Sequence, residues 1–122
     1  MIYRILVTGS RRWTNVEALE AALTAAWHDV TQLDGMMLVV HGHARGADRF
    51  ADAWARRNHI EVERHPADWD THGRAAGHIR NQHMVTLGAH LCLAFPAGAA
   101  TGTRDCMRRA KAAGIEVVEV TS

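Results

Sequence analysis

The sequence has little of several features that indicate particular classes of protein. Its 122 residues carry a formal net charge of +1, and Lys111 is the single lysine among 14 basic residues. A general nucleic-acid binder needs a larger basic excess, because neutralising phosphates supplies most of the affinity. We therefore expect no nucleic-acid partner. No apolar run approaches the length that spans a bilayer, so we also expect no membrane association.

Cysteine is equally scarce, and no leader segment is recognisable. Cys92 and Cys106 are the two cysteines, and neither belongs to a Cys-x-x-Cys pair, which argues against a zinc or redox motif. His41 and His43 flank Gly42, but no acidic or cysteine ligand lies near them in sequence, and we expect no metal. Residues 1–7 lack a cationic stretch followed by a cleavage site, so we expect a cytoplasmic protein without a signal peptide.

What is present is an alternation of short β-branched runs and longer helical patterns. Strands are predicted at 2–7, 36–40, 60–64, 90–95 and 115–120, and helices at 46–58, 73–87 and 103–113. A capping-box pattern from Thr14 to Glu17 opens the first helix, which runs to about residue 31. Residues 66–72 and 96–102 are predicted to be loops. This alternation predicts one α/β domain over residues 1–122, a five-stranded parallel sheet between two helical layers.

The expected strand order, 3-2-1-4-5, locates a candidate site. Ligands bind beyond the carboxyl ends of parallel strands, where the strand order reverses. For this order the reversal lies between the first and fourth strands. The loop Gly9-Ser10-Arg11 and the loop that leads to Thr103 should therefore meet at one crevice. Glycine admits a ligand close to the backbone, and Ser and Arg can donate to phosphate oxygens.

Two loops that open helices carry further candidate ligand-binding residues. The loop after the second strand contributes Gly42, Arg45 and Gly46. Asp48 in the next helical turn fits a ligand contact or a dipole-complementing residue equally well. The loop after the fourth strand contributes Gly98, Gly102 and Thr103, with Thr103 predicted to cap the helix and free N–H groups available for phosphate.

The densest polar stretch on any predicted helix surrounds Arg80 and Asn81. These neighbours should point about 100° apart on a helix, and a solvated surface would also explain them. Gly77 inside the helix suggests a close approach by backbone or ligand. Trp69, just upstream, could stack on a base, although a core or interface position is the commoner fate of tryptophan.

Taken together, these segments resemble the YspA-like branch of the SLOG superfamily. The motifs that carry the resemblance are Thr8-Gly9-Ser10-Arg11, residues 41–48, Ala67-Asp68-Trp69, His72-Gly73-Arg74, Arg80-Asn81 with Met84, Ala94-Phe95-Pro96 and Gly102-Thr103. SLOG members have a Rossmann-like fold and include the Lonely Guy phosphoribohydrolases, the DNA-processing protein DprA and nucleotide sensor domains. The resemblance implies a nucleotide or an ADP-ribose- or NAD-derived ligand, no separate cofactor and a homodimer. The Ala- and Arg-rich composition fits a bacterial or phage origin.

The resemblance also shows where catalysis is in doubt. The Lonely Guy signature pairs an Arg-Lys-x-x-Met helix with Pro-Gly-Gly-x-Gly-Thr-x-x-Glu. Here Asn81 replaces the Lys, Cys106 stands at the position of the Glu, and the loop after Pro96 is two residues longer. Asp48 and Asp105 are the carboxylates that could replace the missing one, with Arg80 beside them.

Three functions follow from this comparison. The leading hypothesis is a nucleotide-derivative binding protein that acts as a sensor or a processing protein. The alternatives are an N-glycosidase acting on nucleoside monophosphates and DprA-like binding of single-stranded DNA.

Overall fold

The computed structural model describes residues 1–121, in which strands and helices alternate. The strands are β1 (Ile2–Gly9), β2 (Met36–His41), β3 (Glu61–Arg64), β4 (Leu91–Phe95) and β5 (Val117–Glu119). The α-helices are α1 (Val16–Gln32), α2 (Ala47–Arg57), α3 (Trp69–His72), α4 (Ala76–Leu87) and α5 (Thr101–Ala112). All strand pairs are parallel and the order is β3-β2-β1-β4-β5, which confirms the predicted Rossmann-like α/β fold.

Two hydrophobic cores lie on opposite faces of the sheet, because successive side chains of β1 point to opposite sides. Ile5 and Val7 join the core formed with α1 and α2. Leu6 joins the core formed with α4 and α5. All three side chains are buried, and burying one aliphatic side chain of this kind stabilises a fold by about 1.5–3 kcal/mol. The sheet is therefore the middle layer of three, as predicted.

The structure differs from the prediction in the cap of α1 and in an additional short helix, α3. Asn15, not Thr14, caps α1, since its side-chain oxygen accepts a hydrogen bond from the N–H of Ala18 at 3.1 Å. The predicted loop 66–72 contains α3, whose first N–H groups are capped by Asp68 through a bond from the N–H of Thr71 at 3.1 Å. A single turn is too short to produce a helical periodicity.

The boundaries of the last two helices also required correction. Residues Gly73–Ala75 form a 3-10 turn, so α4 begins at Ala76 rather than at Gly73. Helix α5 begins at Thr101, after Ala100 in a left-handed conformation with φ of 50°. The predicted cap at Thr103 is therefore wrong, because Thr103 already lies within the first turn and no side chain caps this helix.

None of the helices in residues 1–121 combines the length and the apolar character needed to cross a membrane.

Candidate functional site

A cavity of about 560 Å³ opens at the carboxyl edge of the sheet, beside the ends of β1 and β4. Gly9 and Phe95 form the last pair between these strands, where the strand order reverses. The volume lies within the range of small-molecule sites, roughly 300–1,000 Å³. The residues predicted from the sequence that line the cavity are Gly9, Ser10, Arg11, Gly42, Asp48, Arg80, Asn81, Gly102 and Thr103. The predicted crevice is thus present, and the ligand contacts themselves stay a prediction.

Four predicted residues do not line this cavity: Arg45, Gly46, Gly98 and Asp105. Arg45 is exposed on the β2–α2 loop. Gly46 instead permits a close packing of loops, because a Cβ atom there would meet the backbone carbonyl of Ser10. Gly98 has a φ of 66° and lies beside the side chain of Arg12.

Gly9 is required for packing as well as lining the cavity. A Cβ atom at this position would collide with the Cβ of Ala47, the first residue of α2. The N-terminus of α2 therefore approaches β1 closely only because Gly9 has no side chain. The sequence prediction located Gly9 correctly at the cavity, and this packing contact is a second requirement for glycine that the sequence did not reveal.

The residues that follow Gly9 form a turn that is fixed by its own hydrogen bonds. The N–H of Ser10 donates to the carbonyl of Phe95 at 2.9 Å, and the Ser10 hydroxyl accepts from the N–H of Arg12 at 3.0 Å. Arg11 and Arg12 are exposed and both line the cavity. Their guanidinium groups are therefore available to an anion.

The N-terminus of α5 forms another part of the wall. Ala100, Thr101, Gly102 and Thr103 all line the cavity. Because no side chain caps this helix, the N–H groups of its first turn are available to a ligand. The positive end of the helix dipole there favours a negatively charged group.

Asp48 is the carboxylate that the β2–α2 segment brings to the cavity. Its Oδ2 accepts hydrogen bonds from the N–H groups of Gly42 at 3.2 Å and Ala44 at 3.1 Å. Its Oδ1 is buried and has no partner among residues 1–121. Burial raises the pKa of Asp48 to about 7, although the backbone bonds and the charge of Arg80 act in the opposite direction.

Arg80 projects from α4 and holds two loops at the edge of the sheet. Its guanidinium donates to the carbonyl of Gly42 and, at 3.3 Å, to the carbonyl of His65. Its Nε donates to the side-chain oxygen of Asn81 at 3.0 Å, so these neighbours are in contact despite their angular separation on the helix. Arg80 lines the cavity while it organises the β2 and β3 loops around it.

Asn81 and Asp105 connect α4 to α5 behind the cavity. The Asn81 amide donates to the carbonyl of Gly102 and to Asp105, both at 3.1 Å. Asp105 also accepts from Arg109 at 2.9 Å and contacts His78 at 3.1 Å. Burial opposes ionisation of Asp105, but the bonds from Arg109, Asn81 and His78 lower its pKa. Asp105 is therefore occupied by the protein's own cations and amide.

Cys106 is enclosed and offers no chemistry to the cavity. It is buried in the core between the sheet and α4 and α5, and it does not line the cavity. Burial raises the pKa of its thiol to about 11. The position at which the Lonely Guy signature carries a glutamate is therefore a packing position in this chain.

The cavity residues that were not predicted as ligand contacts include two arginines, one from the β1–α1 loop and one from the segment before α4. Arg12 and Arg74 are exposed arginines on the rim. The Trp69 side chain is 50% exposed and also lines the cavity, in accord with the stacking position considered from the sequence. Gly77 lies beneath it, since a Cβ atom there would be 3.5 Å from the Trp69 ring.

His41 belongs to a separate network outside the cavity. Its Nδ1 accepts from the N–H of His43 at 2.9 Å, so its Nε2 carries the hydrogen that it donates to Asp52 at 2.7 Å. Arg56 and Arg64 donate to the same carboxylate at 2.7 to 3.1 Å. Burial opposes ionisation of Asp52, but these bonds hold its pKa far below the ordinary value.

The fold thus supplies the acidic neighbour that the sequence did not place near the two histidines. Ligand atoms of His41, His43 and Asp52 lie within 4.8 Å of one another, close enough for a metal ion. However, the Asp52 oxygens already accept bonds from two arginines and His41. Hydrogen bonding between β2, α2 and β3 accounts for this cluster without a metal.

Comparison with known proteins adds a family to this geometry. The model of the YspA, cpYpsA-related SLOG family matches residues 3–72, from β1 through α3. The chain is similar to the "Gene 61 protein" of Mycobacterium phage D29, with 48% identity over 120 residues and 94% of each chain covered. That relative fits the expected bacterial or phage origin. No solved structure matches the chain. This family model covers more than half of the chain, and the relative covers most of it, so membership of a family with a nucleotide-related function is indicated. The chain belongs to the YspA, cpYpsA-related SLOG family.

Proposed function

We propose that this protein binds a nucleotide or an ADP-ribose- or NAD-derived ligand in the cavity at the carboxyl edge of the sheet. The observation that carries the proposal is the charge of the cavity wall. Four arginines line it, and Asp48 is the one carboxylate among the described residues that does so. These arginines are Arg11, Arg12, Arg74 and Arg80. Arginine offers a planar fork of donors that suits phosphate oxygens.

Two further features support a nucleotide rather than a simple anion. The uncapped N-terminus of α5 adds N–H donors on the same wall as the arginines. The half-exposed ring of Trp69 offers a flat apolar surface on which a base could stack. A ligand with both a phosphate and an aromatic base uses all of these groups, whereas inorganic phosphate uses only part of them.

Calorimetric titration with AMP, ADP-ribose and NAD tests the proposal. We expect at least one of them to bind, and a double variant Arg11→Ala, Arg12→Ala to weaken binding by about tenfold or more, since each lost charged hydrogen bond removes that order of affinity. Arg45→Ala is the matched control, because Arg45 is an exposed arginine outside the cavity. Failure of all three ligands to bind, or equal loss in the control, would contradict the proposal.

The environment of Asp48 favours a second function, N-glycosidase activity on nucleoside monophosphates. A carboxyl group with a pKa of about 7 can exchange a proton near neutral pH, as general acid–base catalysis requires. Chromatography for free base after incubation with nucleoside monophosphates tests this activity. Turnover should disappear in Asp48→Asn and persist in Asp105→Asn, because Asp105 does not line the cavity. Turnover that survives in Asp48→Asn would exclude Asp48 as the catalytic carboxyl.

We also propose that the protein acts in the cytoplasm as a homodimer. The family resemblance implies the dimer. Light scattering coupled to size-exclusion chromatography measures the mass directly, and a monomer at micromolar concentration would contradict the dimer.

A further inference from the structure

The cavity has a buried floor and an exposed, cationic rim. We define the floor by the buried lining residues, which are Val7, Thr8, Ser10, Gly42, Asp48, Asn81, Met84 and Thr103. We define the rim by the exposed side chains of Arg11, Arg12, Trp69 and Arg74. The arginines whose guanidinium groups are free for a phosphate are thus at the rim, and the carboxylate is at the floor.

Asp48 is the one floor residue with a buried polar atom that the protein leaves unpartnered. Its side chain is 4% exposed, and Oδ2 is fixed by the N–H groups of Gly42 and Ala44. Oδ1 has no partner in residues 1–121 although the residue lines the cavity. A buried polar atom without a hydrogen bond is costly, and native proteins retain few of them. A ligand group that donates to this oxygen, or accepts from it when the carboxyl is protonated, would remove that cost.

We propose that Asp48 accepts a hydrogen bond from a sugar hydroxyl of the ligand and so selects a ribose-containing nucleotide over its deoxy counterpart. This inference rests on the proposed function. Above about pH 7, where Asp48 is ionised, a phosphate group is a poor partner for Oδ1, because two negative charges in contact repel each other and a fully charged phosphate has no hydrogen to donate. A hydroxyl group donates to a carboxylate oxygen and can also accept from a protonated one.

The position of ribose within a nucleotide agrees with this arrangement. Ribose lies between the base and the phosphate, so hydroxyls at the floor leave the other two parts free to occupy the rim. There Trp69 is available to the base, and Arg11 and Arg12 to the phosphate. Ribose and deoxyribose nucleotides carry the same phosphate, so the charged rim cannot distinguish them. Asp48 is thus the residue that determines this specificity.

Titrations of the unmodified protein with AMP, 2′-deoxy-AMP and 3′-deoxy-AMP test the inference directly. We expect AMP to bind about tenfold or more tightly than at least one deoxy analogue, because a buried carboxyl group is left unpaired when its hydroxyl partner is missing. Equal affinity for all three ligands would overturn the role of Asp48 and leave the proposed function intact. Absence of binding by all three, together with ADP-ribose and NAD, would overturn both.

The variant Asp48→Asn identifies the residue responsible. Its amide oxygen can still accept from Gly42 and Ala44, which directs an NH₂ group toward the ligand and leaves the hydroxyl at most a neutral bond in which it is the acceptor. Because a hydrogen bond to a charged group is stronger than one between neutral groups, we expect the preference for AMP over the deoxy analogue to shrink by about threefold or more at about pH 8, while deoxy-AMP affinity is retained. Arg45→Ala, outside the cavity, should keep the full discrimination. An unchanged ratio of AMP to deoxy-AMP affinity in Asp48→Asn would overturn the assignment to Asp48. If this variant does not fold, the titrations of the unmodified protein still decide whether the ribose hydroxyl is recognised.

Discussion

Replacing Asp48 by Asn should change the pH dependence of folding stability, because Asp48 is a buried carboxyl group. Burial raises its pKa from 3.8 to about 7. In the folded protein the group therefore keeps its proton at pH values at which the unfolded chain has lost it. The stability that this group contributes is fully present below the unfolded pKa and is lost as the pH rises through the folded pKa.

The magnitude follows from the size of the shift. A difference of about three pKa units corresponds to about 4 kcal/mol of unfolding free energy, lost between about pH 4 and pH 8. Asparagine does not titrate, so Asp48→Asn should gain up to about 4 kcal/mol relative to the unmodified protein over this range. Urea unfolding at several pH values measures the unfolding free energy of both proteins. Groups that titrate in both proteins cancel when the two values are subtracted.

Asp105→Asn is the control with the opposite sign. The pKa of Asp105 is lowered because the bonds from Arg109, Asn81 and His78 outweigh burial. Its contribution is therefore present above the unfolded pKa and lost as the pH falls, so the destabilisation by Asp105→Asn should shrink in acid. A stability difference between Asp48→Asn and the unmodified protein that stays constant from about pH 4 to pH 8 would refute the reasoning about burial.

Three further predictions concern packing, the ion-pair network and the thiols. Gly9→Ala should destabilise the protein by about 1–3 kcal/mol, as overpacking does, because its Cβ would collide with Ala47. Gly102→Ala, where a Cβ has open space, should be neutral or slightly stabilising in thermal unfolding. Equal changes in stability for the two variants would refute the packing explanation. Asp52→Asn should lose about 1–3 kcal/mol near neutral pH, because the buried His41 and the partly exposed Arg64 lose a charged acceptor. Arg56→Ala at the exposed end of the same network should lose less than about 1 kcal/mol. Because the pKa of Asp52 is lowered, the loss in Asp52→Asn should diminish in acid, and denaturant titration at two pH values checks it. Neither of the two buried cysteines should react with a thiol reagent in the native protein, while both should react after denaturation; rapid native labelling would contradict their burial.

The sheet and the position of the cavity could be predicted because they depend on patterns along the chain. Alternating strands and helices fix a parallel sheet, and short right-handed connections restrict its order. The meeting of the loops after β1 and β4 follows from that order alone. Helix starts were less predictable, because a cap depends on which side chain reaches a particular N–H group. Asn15 rather than Thr14 reaches it at α1, and Ala100 precedes α5 without a side-chain cap.

The contact that each site residue makes could not be predicted from the sequence. Gly9 and Asn81 occur in motifs that suggest ligand contacts, yet Gly9 admits Ala47, and Asn81 donates to Gly102 and Asp105. Both arrangements depend on which helix packs against which strand, and that information is absent from local spacing. The partnership of His41 with Asp52 was hidden for the same reason, since a strand and the following helix bring them together across a loop.

A nuclear magnetic resonance titration tests most directly whether the cavity binds a nucleotide-type ligand. The cavity lies between the loop after β1 and the N-terminus of α5. Backbone amide signals would be followed while AMP or ADP-ribose is added to the isotopically labelled protein. We predict that the shifts concentrate at Ser10, Arg11, Arg12, Gly102 and Thr103, which line the cavity. Shifts confined to the separate groove beside Gln82 and Arg108, or no shifts with either ligand, would contradict the account.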